Sequence, residues 1–381
     1  MEDLKQLREE IDKIDDSVVS LFQKRMEITT AIAEYKKTNG LPPLDPSRER
    51  QILADISGKV SENYRSYVCV LYSLLFELSR SNQEKILHPT SELKERVVNA
   101  VENTEKLFPQ YALAACQGVE GAYSQLACEK MFNVPNIMYF KTFKSVFDAI
   151  DKDMCRYGVL PMENSTAGSV NEIYDLMMDY HFNIIRSTRV KIDHNLLAKS
   201  GTKILQIREI YSHEQAINQC AKFLDGLVNV KVTACANTAA AAKMVAESDR
   251  NDVAALSSRT CADLYQLAIL SCNVQDNDNN YTRFICISKQ LEIYPGADKT
   301  SIMMVIPHKP GALYKVLSRF YALGINLIKL ESRPIPNRDF EFMFYFDLET
   351  SVYSEQFIQL VCGLEGFCEE FRYLGSYSEI V

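Results

Sequence analysis

The chain has 381 residues, of which 47% are hydrophobic and 24% are charged, with a formal net charge of −8 at pH 7. This length exceeds one ordinary domain and the composition lets every segment bury a core, so we expect about three globular domains and no long disordered tract. Because the net charge is negative, the protein as a whole does not attract the phosphate groups of a nucleic acid, which argues against nucleic acid as a partner.

Two further features argue against membrane insertion, export and metal binding. No apolar run reaches the ~20 residues that span a bilayer, and the N-terminal run MEDLKQLREE is too charged for a signal peptide. The 11 cysteines are an odd number scattered through apolar stretches without a C-x-x-C pair, which is typical of reduced core residues. We therefore expect a cytoplasmic protein without a membrane contact, disulfides or a metal site.

The N-terminal segment reads as a long helix. Residues 1–39 contain neither glycine nor proline, and their apolar residues recur at heptad spacing. Such a helix is about 50 Å long at ~1.5 Å per residue, so it needs partner helices along its length. Gly40 ends it, and Asp45 is a suitable N-cap for a second helix that begins at Pro46.

The remaining pattern divides the chain into further domains. A third helix is expected over 62–84, which makes 1–88 an all-helical domain, followed by a partly helical linker over 89–110. Short apolar runs alternate with helical segments over 111–289, as in an α/β domain. The elements predicted over 298–381 follow the order β-α-β-β-α-β, the ferredoxin-like arrangement of an α+β domain.

The heptad pattern of the first helix is broken at Arg25, where an apolar seam residue is expected. A buried arginine needs a partner, and a dianionic ligand can supply one. Lys36 lies on the same helix face, about 16 Å further along the axis, so both side chains can reach one small molecule. Arg8 lies about 25 Å before Arg25 and can serve only another subunit's site, which predicts at least a dimer.

Short motifs on these helices resemble those of the all-helical chorismate mutases over residues 1 to about 88: LREEI at 7–11, KRM at 24–26, Lys36, D-x-x-R-E-R at 45–50 and S-x-x-x-Q at 79–83. The resemblance implies a chorismate site built from all three helices: Arg8 of the partner subunit, Arg25 and Arg48 on the carboxylates, Lys36 and Gln83 as donors to the ether oxygen, Glu49 as acceptor from the ring hydroxyl, and Asp45 and Ser79 beside them. The rearrangement is intramolecular and needs no nucleophile, base or cofactor. A plain helical bundle with surface ion pairs is the alternative, and it explains Arg25 poorly.

Turns rich in glycine, hydroxyl and amide residues mark the α/β segment: GVEGAYSQ at 118–125, PMENSTAGSV at 161–170, SHEQ at 212–215, NTAA at 237–240 and NYTRF at 280–284. Each alone is an ordinary turn or cap. Their order and spacing resemble the prephenate dehydratases from about Tyr111 to Lys289. That resemblance implies two lobes, similar to a periplasmic binding protein, around a substrate cleft.

The same resemblance assigns roles in the cleft: Thr282 as general acid for the departing hydroxide with Arg283 alongside, Asn164, Ser212 and Gln219 as substrate-binding residues, and Glu163 as support for the same wall. Prephenate is poised to aromatise and needs mainly protonation of its leaving hydroxyl, so neither metal nor cofactor is implied. His213 is tempting as a catalyst, but we expect it to be structural or to line the cleft.

The C-terminal segment, from about 298 to 381, resembles the ACT regulatory domains in two motifs, HKPGAL at 308–313 and ESRP at 331–334. The resemblance implies an L-phenylalanine site that comprises Gly311, Ala312, Leu313, Glu331, Ser332 and Arg333. Gly311 allows a backbone to approach the amino acid closely. An appendage that only holds subunits together is the alternative.

Together the resemblances predict a bifunctional enzyme, both isomerase and lyase, that converts chorismate to prephenate and prephenate to phenylpyruvate under feedback inhibition by L-phenylalanine. Two alternatives remain open. One is a non-catalytic sensor of aromatic metabolites, against which the presence of both Lys36 and Thr282 argues. The other is a preference for arogenate, which carries an amino group in place of the ketone of prephenate.

Overall fold

A computed structural model describes residues 4–42, 44–87, 92–335, 338, 341–365 and 368–381. The described residues form two compact units: one from 1–99 and 302–372, the other from 100–301 and 373–381. The part of the predicted linker at 89–91 lies outside the described residues. None of the helices in the described ranges combines the length and apolar character needed to cross a membrane.

The described residues of the N-terminal part form four helices and one 3-10 turn: α1 Leu4–Asn39, α2 Pro46–Ser57, the turn Glu62–Tyr64, α3 Arg65–Leu87 and α4 Glu92–Asn103. The predicted start of α2 is confirmed, because Oδ1 of Asp45 accepts from the backbone N–H groups of Ser47 and Arg48 at 3.1 and 3.0 Å. Helix α3 packs against both α1 and α2. The structure thus confirms the predicted long first helix and its helical partners.

Helix α1 leaves its heptad residues largely uncovered. Within it, Thr29 and Ala33 are buried. The seam residues are between 40 and 68% exposed: Leu4, Leu7, Ile11, Ile14, Val18, Leu21, Ile28, Ile32 and Tyr35. An apolar stripe of this length on one helix is a surface that needs a partner.

The second unit contains two sheets. The first has strand order β16-β5-β11-β3-β1-β2 with β4 beside β3, from strands β1 Tyr111–Gln117, β2 Val134–Phe140, β3 Tyr157–Asn164, β4 Gly168–Ser169, β5 Asn183–Lys191, β11 Tyr281–Ser288 and β16 Glu379–Ile380. The second has order β10-β6-β9-β7-β8, from strands β6 Asn195–Ala198, β7 Glu209–Ser212, β8 Lys231–Ala234, β9 Val253–Ser257 and β10 Ala268–Ser271.

Helices alternate with these strands, as the α/β prediction requires: α5 Tyr123–Met131, α6 Phe143–Asp151, α7 Asn171–Asp179, α8 Glu214–Gln219, α9 Ala221–Asp225, α10 Thr238–Glu247 and α11 Arg259–Leu264. A 3-10 turn covers Ile204–Gln206.

The chain crosses between the two sheets at 192–194 and at 272–280, which we call the hinge segments. The hinge segments are hydrogen-bonded to one another: Val274 N–H donates to the carbonyl of His194 at 2.8 Å, and Ile192 N–H to that of Asn280 at 2.8 Å. The two-lobed α/β architecture predicted for this part of the chain is therefore confirmed.

The C-terminal elements are β12 Lys299–Val305, α12 Ala312–Ala322, β13 Asn326–Pro334, β14 Phe342–Glu349, α13 Glu355–Glu365 and β15 Glu370–Tyr377. Their strands form a sheet of order β13-β14-β12-β15. Strand β16 was not predicted. Its residues Glu379 and Ile380 pair in parallel with Ser187 and Thr188 of β5.

Candidate active sites

In the predicted mutase site, Arg25 and Lys36 of α1 form hydrogen bonds with residues of α3. Nη1 of Arg25 donates to Ser79 Oγ and, at 3.2 Å, to the carbonyl of Leu75. Nζ of Lys36 donates to Gln83 Oε1 at 3.1 Å. The structure therefore brings four of the predicted residues together along one pair of helices.

Partial burial makes these cations receptive to an anion. Burial lowers the pKa of Arg25 below its ordinary value. Burial also lowers the pKa of Lys36, although the charges of Asp45 and Glu49 oppose that shift. Each positive charge has thus lost part of its solvation by water. A bound carboxylate, or a negative charge that develops on oxygen, would stabilise it in place of that water.

Arg80 is a residue of this site that the sequence analysis missed. It pairs with Glu49 of α2 and with Glu77 of its own helix, and its side chain is 11% exposed. Glu49, the predicted acceptor for the ring hydroxyl, is therefore oriented by a cation from α3. Arg80 directly follows Ser79 in the S-x-x-x-Q motif, but its contact with Glu49 spans 31 residues and leaves no local pattern.

The structure does not bring the other two predicted arginines into this group. Arg48 is exposed and its Nη1 donates to Gln51 Oε1 at 3.2 Å. Arg8 is exposed near the start of α1, about 25 Å from Arg25 on an unbroken helix. Their contacts with a substrate stay predictions.

In the α/β unit, Asn164 lies at the centre of a polar cluster where β3 ends. Its Nδ2 donates to Thr282 Oγ1 at 3.0 Å and to Asn280 Oδ1 at 2.7 Å. Its Oδ1 accepts from the hydroxyl of Thr166 at 2.7 Å and from the N–H of Ala167 at 2.9 Å. Because Thr282 is the acceptor in its bond with Asn164, its hydroxyl proton can be donated to another group.

Gln219, at the end of α8, joins the same cluster. Its Nε2 donates to Thr166 Oγ1 at 2.8 Å, and its Oε1 accepts from Asn280 Nδ2 at 3.0 Å. Nε2 of His194 also lies 3.0 Å from that Oε1. Three of these residues, Thr166, His194 and Asn280, were not assigned a role from the sequence. Thr166 and Asn280 stand in two of the motifs given above, whereas His194 stands in none of them.

His213 lies beside this cluster, as expected for a structural or cleft-lining residue. Its Nδ1 accepts from the N–H of Gln215, at 3.3 Å, at the start of α8. It lines a cavity of 630 Å³ together with Thr166, Gln219 and Asn280. That volume suits a small-molecule ligand.

Glu163 and Arg283 form an ion pair, with 2.8 Å between Arg283 Nε and Glu163 Oε1. They face each other across β3 and β11, one position from the pair Asn164 and Thr282. Consecutive strand residues point to opposite faces, so the ion pair lies on the face opposite the Asn164–Thr282 contact. This geometry agrees with the predicted supporting role of Glu163, and it places the Arg283 side chain on the face opposite the Thr282 hydroxyl.

Ser212 is also set back from the cluster. It is fully buried, and its Oγ donates to the carbonyl of Leu256 at 2.8 Å. That bond links β7 to β9 inside the second lobe. The hydroxyl proton of Ser212 is therefore used within the lobe, and its predicted contact with the substrate stays a prediction.

The first motif of the predicted effector site lines a cavity. Gly311 has φ of +80° and precedes α12 as its N-cap. The cavity measures 530 Å³ and is lined by residues 306–314 together with Glu341, Phe342 and Phe344. Gly311, Ala312 and Leu313 are thus brought together at one opening.

The second effector motif lies on β13. Glu331, Ser332 and Arg333 pair in register with Tyr345, Phe344 and Met343 of β14, respectively. Phe344, the register partner of Ser332, lines the 530 Å³ cavity. The two motifs are therefore linked through β14, while the described residues that line this cavity are 306–314 and Glu341, Phe342 and Phe344, none of which belongs to the second motif.

Two protein families match this chain, one over its N-terminal helices and one over its α/β segment. The family described as "Chorismate mutase type II" matches residues 7–84, and that described as "Prephenate dehydratase" matches residues 114–292. A "Bifunctional chorismate mutase/prephenate dehydratase" from Aquifex aeolicus is 32% identical over 379 residues, which are 99% of this chain and 98% of that protein.

Two further relatives match a smaller share of the chain. An "Arogenate dehydratase/prephenate dehydratase 2, chloroplastic" from Arabidopsis thaliana is 34% identical over 313 residues, 79% of this chain and 80% of that protein. A solved prephenate dehydratase from Arthrobacter aurescens, in complex with L-Phe, is 27% identical with a TM-score of 0.64, and the match covers 70% of this chain and 89% of that one.

The predicted pair of activities is confirmed by these matches. The helical region carries the mutase match and the α/β region the dehydratase match, in the order found in the full-length relative. The chain belongs to the family of bifunctional chorismate mutase/prephenate dehydratases.

Proposed function

We propose that chorismate is rearranged beside Lys36 and Gln83, and that the resulting prephenate is dehydrated and decarboxylated beside Asn164 and Thr282. The observation that supports this assignment is the presence of two polar clusters in different compact units. We further propose the domain limits 1–88, 111–289 and 298–381 for the mutase, the dehydratase and the regulatory domain, with 89–110 as the linker.

In the mutase, the protein binds chorismate in its reactive conformer and stabilises the charge that develops on the ether oxygen. Arg25 binds a substrate carboxylate, and Ser79 holds its guanidinium in place. Lys36 donates to the ether oxygen. The bond from Lys36 to Gln83 Oε1 orients the amide so that its NH2 group also reaches the substrate.

In the dehydratase, Thr282 protonates the leaving hydroxyl of prephenate, which departs as water. The ring carboxylate leaves as carbon dioxide, and its electron pair completes the aromatic ring. A threonine hydroxyl is a weak acid, so the negative charge that develops on Oγ1 needs stabilisation. The Nδ2 of Asn164, 3.0 Å away, supplies it by donating to that oxygen.

Reciprocal substitutions test the two sites. Thr282→Ala should lower the dehydratase kcat by about 10²–10³ and leave the mutase rate unchanged, because it removes one transition-state donor. Lys36→Ala should do the opposite. Thr282→Ser keeps the hydroxyl and serves as the matched control. A comparable loss of both activities in folded Thr282→Ala protein contradicts the assignment.

We also propose that the C-terminal elements form a ferredoxin-like ACT domain that binds L-phenylalanine and inhibits the dehydratase. The element order β-α-β-β-α-β and the sheet order β13-β14-β12-β15 support this proposal. The L-Phe complex of the Arthrobacter relative supports the choice of effector. We expect the 530 Å³ cavity at Gly311 to receive the amino acid, at an interface between two such domains.

The exposed stripe of α1 supports a dimer in which Arg8 of the partner subunit completes each mutase site.

We place the enzyme in the cytoplasm, since the ten cysteines with described side chains are free thiols.

A preference for arogenate as the substrate of the dehydratase is a second candidate function, favoured by the name of the Arabidopsis relative. A comparison of kcat/KM for prephenate and arogenate distinguishes the two.

A further inference from the structure

His194 belongs to the first hinge segment, and the reactions proposed above do not use it. It is 2% exposed, and its Nδ1 is buried without a hydrogen-bond partner in the described part of the chain. A buried polar atom of this kind costs free energy, so its retention calls for a compensating role. The other ring nitrogen, Nε2, faces Gln219.

The hydrogen bonds around Gln219 determine which nitrogen of His194 carries the proton. Gln219 Nε2 donates to Thr166 Oγ1, so Oε1 is the atom that faces Asn280 Nδ2 and His194 Nε2. An oxygen at 3.0 Å requires a donor, which places the proton of the neutral ring on Nε2. Burial lowers the pKa of His194, which keeps the ring neutral near neutral pH.

Both hinge segments hold the ring in place. The backbone N–H of His194 donates to Gln275 Oε1 at 2.9 Å, and its carbonyl accepts from Val274 N–H at 2.8 Å. The ring packs edge-on to that of Tyr123, with 6.3 Å between centroids. The phenol of Tyr123 donates to the carbonyl of Asp193 at 2.7 Å. The direction of the Nε2–H bond is therefore fixed before substrate binds.

We propose that His194 is a positioning residue of the dehydratase that fixes the amide of Gln219 with its NH2 group toward Thr166, Asn164 and the substrate. This proposal rests on the proposed substrate-binding role of Gln219. Nε2 of Gln219 lies 3.4 Å from Asn164 Oδ1. An amide turned by 180° would bring two oxygens together there and would face a substrate carboxylate with an acceptor. The donor from His194 makes that orientation unfavourable.

Two substitutions at one position separate donation from packing. In the full-length chain, His194→Leu should lower the dehydratase kcat/KM about tenfold, because Gln219 loses one donor and its orientation becomes ambiguous. His194→Gln supplies an N–H at a similar distance from the backbone and should restore kcat/KM to within about threefold of wild type. The mutase rate, measured in the same samples, controls for folding. If His194→Gln is as impaired as His194→Leu, the donor role is wrong.

A double-mutant cycle tests whether His194 acts through Gln219. Gln219→Ala should lower kcat/KM on its own, and His194→Leu should add less than about twofold in that background, since the residue it positions is gone. The same tenfold loss in both backgrounds overturns the positioning role. No effect of Gln219→Ala alone overturns the substrate-binding role of Gln219, and the proposal for His194 with it.

Discussion

Thr282, the proposed general acid, is held by a small set of contacts. The residue is 9% exposed, and its Oγ1 accepts a hydrogen bond from Asn164, whose own Oδ1 accepts from Thr166 and Ala167. Asn164 is therefore unable to turn its NH2 group away without losing several bonds. If Thr282 is the general acid, as proposed, a fixed donor of this kind would stabilise charge on Oγ1 without reorganisation.

Gln83 leads to a prediction about pH. An amide donates at any ordinary pH, whereas a carboxyl group donates only when protonated. In Gln83→Glu, the ammonium of Lys36 would favour the ionised carboxylate, which cannot donate to the ether oxygen. We therefore expect the mutase rate of Gln83→Glu to rise as the pH falls from about 7 to 5.

The wild-type mutase should behave differently in the same assay. Its rate should persist above neutrality and decline where Lys36 loses its proton, which burial brings to a lower pH than in free lysine. Mutase rates of both proteins measured from about pH 5 to 9 check this expectation. A wild-type rate that falls steeply between about pH 6 and 8 argues against Gln83 as the ether-oxygen donor.

At the residue scale, the sequence singled out the side chains that we propose as catalytic, but not the residues that contact them. Asn164 and Thr282 each stand in a motif, yet their bond spans 118 residues and depends on the register of β3 with β11. The ion pair of Glu163 with Arg283 depends on the same register, which the sequence does not show. The contacts of Arg80 with Glu49 and of His194 with Gln219 span 31 and 25 residues, so no local pattern marks them.

At the element scale, local signals were sufficient for the helices of the mutase. Asp45, Pro46 and the glycine-free run of α1 act within a few residues, so capping and periodicity predicted these elements. Strand β16 is the opposite case. It has two residues, and its identity depends on pairing with Ser187 and Thr188 of β5. The strand propensity of the last residues alone does not predict that pairing.

The turn before α12 gives a prediction for effector binding. The sequence led us to expect that a side chain at Gly311 would obstruct close approach to the amino acid, and this stays a prediction. Within the protein itself, a Cβ there meets no atom within 4 Å. The φ of +80° sets a second requirement, because residues other than glycine are strained in that region. Gly311→Ala and Gly311→Val should therefore both shift the turn and weaken phenylalanine binding about tenfold, despite their difference in volume.

Gly324, at the opposite end of α12, provides a matched control. It has φ of +66° and equally open surroundings, so Gly324→Ala imposes a similar strain away from the 530 Å³ cavity. Calorimetry and inhibition assays on the three variants, with the uninhibited rate as reference, test the prediction. Unchanged inhibition in folded Gly311→Val protein would place the phenylalanine site elsewhere, for instance in the dehydratase cleft.

At the scale of the whole molecule, compact units and sequence segments do not coincide. One unit combines residues from the N-terminal helices with most of the C-terminal elements, and within it α3 packs against α12 and α13. The other unit includes the last residues, 373–381, through the pairing of β16. Composition and periodicity predict segments, whereas this grouping arises from packing between residues far apart in the chain.

Subunit association is also a property of the whole molecule. The seam of α1 is 40 to 68% exposed from Leu4 to Tyr35, and Arg8 lies about 25 Å from Arg25 on the same straight helix. If each mutase site takes Arg25 from one chain and Arg8 from the other, Arg8→Ala and Arg25→Ala proteins should each be nearly inactive as mutases. A mixed dimer of the two variants contains one site with both arginines intact.

Random exchange of equal amounts makes half of the dimers mixed, so about one quarter of the wild-type mutase activity should appear on mixing. The dehydratase rate should not change, because neither arginine belongs to its cluster. Capture of one variant through an affinity tag, followed by detection of the other, establishes that exchange has occurred. If exchanged subunits show no recovery, Arg8 does not complete the partner's site, and the exposed seam of α1 would have to be covered by an association that leaves each mutase site within one chain.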